Sequence, residues 1–183
     1  MADAYDHRLI TASTEVAPDP GTLPQPIAEV FARWQTLKGD ADMAPAAAFR
    51  LDELPTSVVP WALLYDVVDG GRDLRYRFFG TYRVAAHGAD YTGRLVSELE
   101  PRAIGDKILT ETRRVIERRR PLHVITEGEI HDEAFVYNFL RLPLAGPEED
   151  VARVFAVSFE GTGPEEESRL RHYWSRMPRL TER

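Results

Sequence analysis

The side chains able to do chemistry are dispersed along the 183 residues rather than gathered in one motif. Glu127 and Glu129 share one side of a strand-like run with His123 and Ile125. A buried carboxylate in that row, with a raised pKa, would make a general base. The alternation around them reads instead as a solvated outer face. His131 and Asp132 are adjacent, but a metal centre needs further donors from afar, so no metal is expected. His7 and His172 fall in the tails. Asp66 interrupts an apolar run and faces Arg75 or Arg77 across a turn, which reads as a structural ion pair. No catalytic residue is expected.

Aromatic residues recur at strand spacing: Tyr65, Tyr76, Phe78, Phe79, Tyr82, Tyr91, Phe135, Tyr137 and Phe139. Such rows fill cores, and the same rings can wall a pocket for a flat ligand. The chain has no cysteine. Disulfides, thiolate nucleophiles, iron–sulfur clusters and any photosensor that forms a cysteine adduct with its chromophore are therefore excluded. A net charge of −7 argues against broad nucleic-acid binding. No apolar run suits a stable membrane insertion, and the N-terminus lacks the pattern of a secretory signal, so a cytoplasmic location is expected.

These residues must be held by regular elements. Residues 1–25 are polar and proline-containing and read as a flexible arm. Ile27, Val30, Phe31 and Trp34 mark one face of a helix that stops at Gly39, and residues 26–60 hold this helix and a connection. The core is expected over 61–160. Trp61–Val68 is nearly all apolar, Asp69-Gly70-Gly71 is a turn signal, and Leu74, Tyr76 and Phe78 alternate with Arg75 and Arg77. A short helix over Thr81–His87 and a long one over Ser97–Arg120 follow, the latter with Ser97 and Glu100 spaced as a capping box. Ile104, Ile108, Thr112, Val115 and Ile116 form its apolar stripe. Three strands follow, Leu122–Ile130, Ala134–Leu144 and Val151–Glu160. Val151, Arg153, Phe155, Val157 and Phe159 share one face of the last. Residues 161–183 hold an amphipathic helix from Pro164, with Leu170, Tyr173, Trp174 and Met177 in line among arginines. The order predicts an α+β domain with a five-stranded antiparallel sheet, helices on one face, and flanking N- and C-terminal helices.

The segment Arg77-Phe78-Phe79-Gly80-Thr81, followed by Gly88 and by Tyr91-Thr92-Gly93-Arg94, resembles the glycine punctuation of PAS sensory domains. With Trp34, Leu54-Pro55, Asp66-Val67 and Leu142-Pro143-Leu144, the pattern over residues 27–160 resembles a proteobacterial stand-alone PAS family first described as a domain of unknown function. In that resemblance Arg77, Gly80, Thr81, Gly88, Gly93 and Arg94 are structural. The ligand pocket draws on Tyr65, Phe79, Tyr82, His87, Tyr91 and Tyr137, and His87 lies near the small helices of the cavity wall. No one cofactor is implied. Haem is not expected, because Ser97–Arg120 lacks the histidine that haem-binding relatives use.

The resemblance implies a sensory or regulatory protein rather than an enzyme. It would bind a small ligand, a signalling protein, or both, and dimerise through its flanking helices. Two other readings stay open. One is a small cavity enzyme of the isomerase or dehydratase type, with an Asp or Glu base beside a tyrosine or histidine. The other is a ligand-free scaffold.

Overall fold

The computed structural model describes residues 10–100, 102–130, 133–159 and 181–182. The chain runs β1 (Ile10–Val16), α1 (Gln25–Lys38), β2 (Ala44–Pro45), β3 (Ala62–Val68), β4 (Asp73–Phe79) and α2 (Thr81–His87). It continues through β5 (Leu99–Glu100), α3 (Arg102–Arg118), β6 (Leu122–Ile130), β7 (Glu133–Ala145), β8 (Val151–Phe159) and β9 (Thr181–Glu182). The five expected strands form one antiparallel sheet in the order β6-β7-β8-β3-β4. Two consecutive strands at one side, a helical crossover, then a three-strand meander that brings β8 against β3 make a PAS-like α+β fold. The helix expected after Pro164 lies outside the described residues.

The sheet is covered on both faces. Leu63, Tyr65, Leu74, Tyr76, Val124, Val154 and Ala156 face α3 and the segment before it. Leu64, Leu140, Leu142, Leu144, Phe155 and Val157 face α1 and the connection after it. The expected stripe Ile27, Val30, Phe31 and Trp34 is the buried side of α1. Trp34 also donates its indole N–H to the Pro143 carbonyl at 2.8 Å, which fixes α1 along β7.

Several expectations are corrected. Ile10–Val16, inside the expected arm, is an edge strand paired antiparallel with β6. Its β-branched residues suit a pleated edge that its polar composition disguises. The long helix starts at Arg102, because Val96–Glu98 is a tight 3₁₀ turn and Leu99–Glu100 pairs with β9. Ser97 does not pair with Glu100. Its Oγ donates to Asp73, while the Glu100 carboxylate accepts the backbone N–H of Arg102 at 3.1 Å.

The remaining corrections are bulges. The register passes from Leu64↔Phe78 to Tyr65↔Tyr76, so Arg77 is an extra residue in β4. An extra residue inverts the alternation beyond it. Phe79, not Phe78, therefore joins Leu74 and Tyr76 on the α3 face. A second bulge between Leu144↔Arg153 and Ala145↔Val151 turns Val151 to the α3 face, away from Phe155 and Val157.

At the end of β4 the chain turns sharply into α2. Gly80 donates its N–H to Ala62 at 2.9 Å, and a Cβ there would lie 2.3 Å from the Pro60 oxygen and 2.8 Å from the Ala62 oxygen. Gly88, with φ of 79°, ends α2 in the left-handed region. Because the atoms facing Gly80 are backbone, Gly80→Ala should destabilise the domain by about 1–3 kcal/mol in urea titrations. An unchanged midpoint would show that this close approach is absent.

Candidate functional site

Between the sheet and α3 lies a cavity of about 60 Å³, lined by residues of β3, β4, α2, α3 and β7. Each element contributes through its own periodicity. Leu63 and Tyr65 alternate on β3, and Tyr137, Phe139 and Arg141 alternate on β7. On α3, Ile104, Lys107, Ile108 and Glu111 recur at helical spacing. The β4 bulge delivers Phe79 beside Tyr76, with ring centroids 5.2 Å apart. The short helix α2 brings Arg83 and His87 to one wall, four residues apart.

Charge is concentrated in this apolar setting. Glu111 Oε2 lies 2.5 Å from Arg141 Nη2, and both side chains are under 10% exposed. Lys107 holds the other oxygen of Glu111. Burial works to raise the Glu111 carboxyl, but the cations of Arg141 and Lys107 outweigh it and hold the group below the usual carboxylate range. Arg83 donates through Nε to the Trp61 carbonyl at 3.3 Å and through Nη2 to Ser158 Oγ. Burial lowers its pKa to about 10, so it remains a cation near neutral pH. The Arg83 and Arg141 guanidinium carbons stand 5.0 and 4.7 Å from the centre of the Phe139 ring. Such placement favours a cation over the ring face.

The tyrosines are held neutral. Burial raises Tyr65 and Tyr76, whose hydroxyls are hydrogen-bonded to each other. Burial pushes Tyr137 up to about 12, against the effect of its hydrogen bond with Thr126. His87 lies with its ring 5.8 Å from that of Phe79. Burial first, and then the Arg83 charge, lower its pKa to about 3. The imidazole is therefore uncharged near neutral pH.

Of the expected pocket residues, the structure brings Tyr65, Phe79, His87 and Tyr137 to the cavity wall. Tyr91 is buried behind it, its ring 5.5 Å from that of Phe79. Tyr82 is displaced, because its position on α2 turns it outward, where its ring meets Trp61 edge-on at 4.9 Å. Arg94 continues the chain beside β4, its carbonyl accepting the Tyr76 N–H at 3.0 Å, while Gly93 donates to Tyr76 O. Arg77 lies 3.4 Å from Asp66, as expected, and Arg153 approaches the other Asp66 oxygen at 3.1 Å. His123 is buried on the opposite face of the sheet, with Nε2 2.8 Å from Asn138 Oδ1. His131 and Asp132 lie outside the described residues.

The residues missed at the sequence level are Arg83, Glu111 and Arg141. Their signals were present. Arg141 falls in step with Tyr137 and Phe139 on an apolar strand, and Glu111 follows Lys107 by one helical turn.

No protein-family model matches the chain, and no curated protein matches it. Among solved structures it is similar to an RNA-binding light-oxygen-voltage receptor, at 15% identity and a TM-score of 0.44, covering 90% of this chain and 42% of that one. It is also similar to the light-state dimer of the fungal blue-light photoreceptor Vivid, at 15% identity and 0.41, covering 63% and 86%. A light-oxygen-voltage domain studied with a flavin analogue gives 16% and 0.38, covering 61% and 84%. A flavin does not fit the residues present here. The cavity is far smaller than the ~300–1,000 Å³ of typical cofactor clefts, and Arg83, Lys107, Glu111 and Arg141 are among its lining residues.

Two measurements test this geometry. Glu111→Gln leaves Arg141 buried beside a neutral partner and should cost about 3–5 kcal/mol of stability, whereas a cost below 1 kcal/mol would mean that the pair is not buried. His87 titrates in the unfolded chain near its ordinary pKa but stays neutral in the fold down to about pH 3. Its contribution to stability is thus complete above the unfolded pKa and is lost as the pH falls below it. Between pH 7 and pH 5, unfolding free energies of the native chain should drop about 2 kcal/mol more than those of His87→Gln. Parallel pH profiles would show that His87 is not shielded from solvent.

Proposed function

We infer that the chain is a small sensory or regulatory protein, acting in the cytoplasm, whose PAS-like domain binds a small molecule between α3 and the sheet. Its output is a changed contact with a signalling partner. The observation that supports this most is the cavity itself. It is a small, partly open space walled by aromatic and aliphatic side chains, with a few fixed charges, at the place where the crossover helix meets the sheet. Concave, mostly apolar sites with a few convergent polar groups are the usual form of small-molecule sites.

The cavity-enzyme reading has one observation in its favour, since a carboxylate, a histidine and tyrosines do share the cavity. Their states weigh against it. A general base works best with its pKa near the working pH. Glu111 is held low by two cations, and His87 is pushed far below neutrality. The fold order also differs from the one expected of such enzymes, because α3 falls between the second and third strands of the five-stranded core.

Self-association through the flanking helices is part of the proposal. α1 spends its apolar face on its own sheet, so the apolar contact falls to the amphipathic sequence within 161–183. Among the described residues no helix is long and apolar enough to cross a membrane.

Native mass spectrometry of the purified protein, and thermal-shift screening with small metabolites, test the reading. A ligand should raise the melting temperature of the native chain. It should not raise that of Ile108→Phe, which fills the cavity from α3 while circular dichroism stays native. An identical response in both proteins, or no response to any class of compound, would overturn the proposal.

A further inference from the structure

Arg141 is only 2% exposed, and one of its three guanidinium nitrogens is accounted for, Nη2 with Glu111. Its Nε and Nη1 are buried with no hydrogen-bond partner. Buried donors are nearly always satisfied, and those of a cation most of all, so such a group marks a missing acceptor. Glu111 meets Arg141 only at Nη2, and its other oxygen meets Lys107.

The electrostatic balance points the same way. Arg83, Lys107 and Arg141 line the cavity with Glu111 as the one carboxylate among its described lining residues, an excess of two positive charges. The His87 imidazole adds no charge near neutral pH. The rest of the wall is apolar or aromatic, with Leu63, Phe79, Ile104 and Ile108 among its residues. An inorganic oxyanion wants donors on every side, whereas most of this wall is hydrocarbon or aromatic ring. Lys107 is half-buried, the most exposed of the charged lining residues, and so stands at the rim.

The geometry points to a compact monocarboxylate with a short apolar or aromatic body as the ligand of this cavity. Its carboxylate accepts from Arg141 through one of the two unpartnered donors, Nε or Nη1, and its body lies against Leu63, Phe79 and α3. This rests on the ligand-sensing reading above and adds to it the chemical class of the ligand. The volume of about 60 Å³ restricts the body to a few heavy atoms, since one water alone needs at least ~10–15 Å³ of such space.

The test compares acetate, butyrate and benzoate with their neutral amides and with phosphate, by calorimetry and thermal shift on the full chain. At least one carboxylate should bind tenfold or more tighter than its amide, with affinity changing along the series as the body fills the space. Arg141→Met alone leaves Glu111 without its buried partner and held by Lys107 only, so the informative variant is Glu111→Leu with Arg141→Met, which removes both charges together. It should keep a native circular dichroism spectrum and lose the carboxylate preference. Equal binding of amides and carboxylates would overturn the carboxylate class but leave the cavity a ligand site. Equal binding of phosphate, or retention of the preference in the double variant, would also overturn the proposal. If no compound of any class binds, both this inference and the ligand-sensing reading fail.

Discussion

The ion pair between Glu111 and Arg141 is the constraint around which the α3 side of the domain is organised. Two opposite charges removed from water are tolerable only in close contact and with further hydrogen bonds. Contact requires α3 to lie at one rotation and one height over β7, and that placement sets where Ile104, Lys107 and Ile108 point. The same helix is tied to other parts of the sheet by weaker links. Arg113 donates to the Gly71 and Arg72 carbonyls in the β3–β4 turn, at 3.3 and 3.0 Å. Arg118 and Arg114 meet Glu15 on β1. Exposed pairs of this kind stabilise little, but together they fix α3 against the hairpin turn, the centre and the edge of the sheet.

Packing on the α3 side thus carries two tasks that conflict elsewhere in the molecule. Under α1 the buried cluster is almost wholly apolar. Under α3 it is interrupted by three cations and a carboxylate, and space remains. An interior that carries charge gives up some packing energy, because apolar residues of similar volume are often as stable or more so. The natural location of a recognition site is the layer where that exchange has been made.

Much of the architecture was legible in the sequence. The order of strands and helices, the span of α2, the buried face of α1 and the pairing of Asp66 with an arginine of β4 followed from periodicity, turn chemistry and charge. The bulges were not legible. An extra residue leaves composition and hydrophobicity unchanged, so Phe78 and Phe79 look interchangeable until the β3 register is known. The edge strand β1 was hidden by its polar residues, and the start of α3 by a 3₁₀ turn that carries helix-like spacing. Of the aromatic residues expected in the candidate site, Tyr65, Phe79 and Tyr137 line the cavity and Tyr82 and Tyr91 do not, because rings at strand spacing are conspicuous but the facing of a short helix or loop is not. Arg83, Glu111 and Arg141 were not found, because a charged residue on a helix or strand is read as solvent-facing by default. Only the pairing of α3 with β7 shows that Glu111 and Arg141 neutralise each other in the interior.

The outer strands of the sheet bear on how the protein behaves in a crowded solution. β4 is not left as a bare ladder, since Gly93 and Arg94 hydrogen-bond with Tyr76 and Leu95 bridges to Arg75. On the other side β1 takes up the edge that β6 would otherwise expose. β1 is seven residues long, and Thr11, Ser13, Thr14 and Glu15 make it polar. Short, hydrophilic border strands resist edge-to-edge joining with another chain. The N-terminal strand therefore acts as a guard against fibril-like association, and a protein lacking all of β1 would leave β6, with Val124, Ile125 and Thr126, as an inviting template for aggregation.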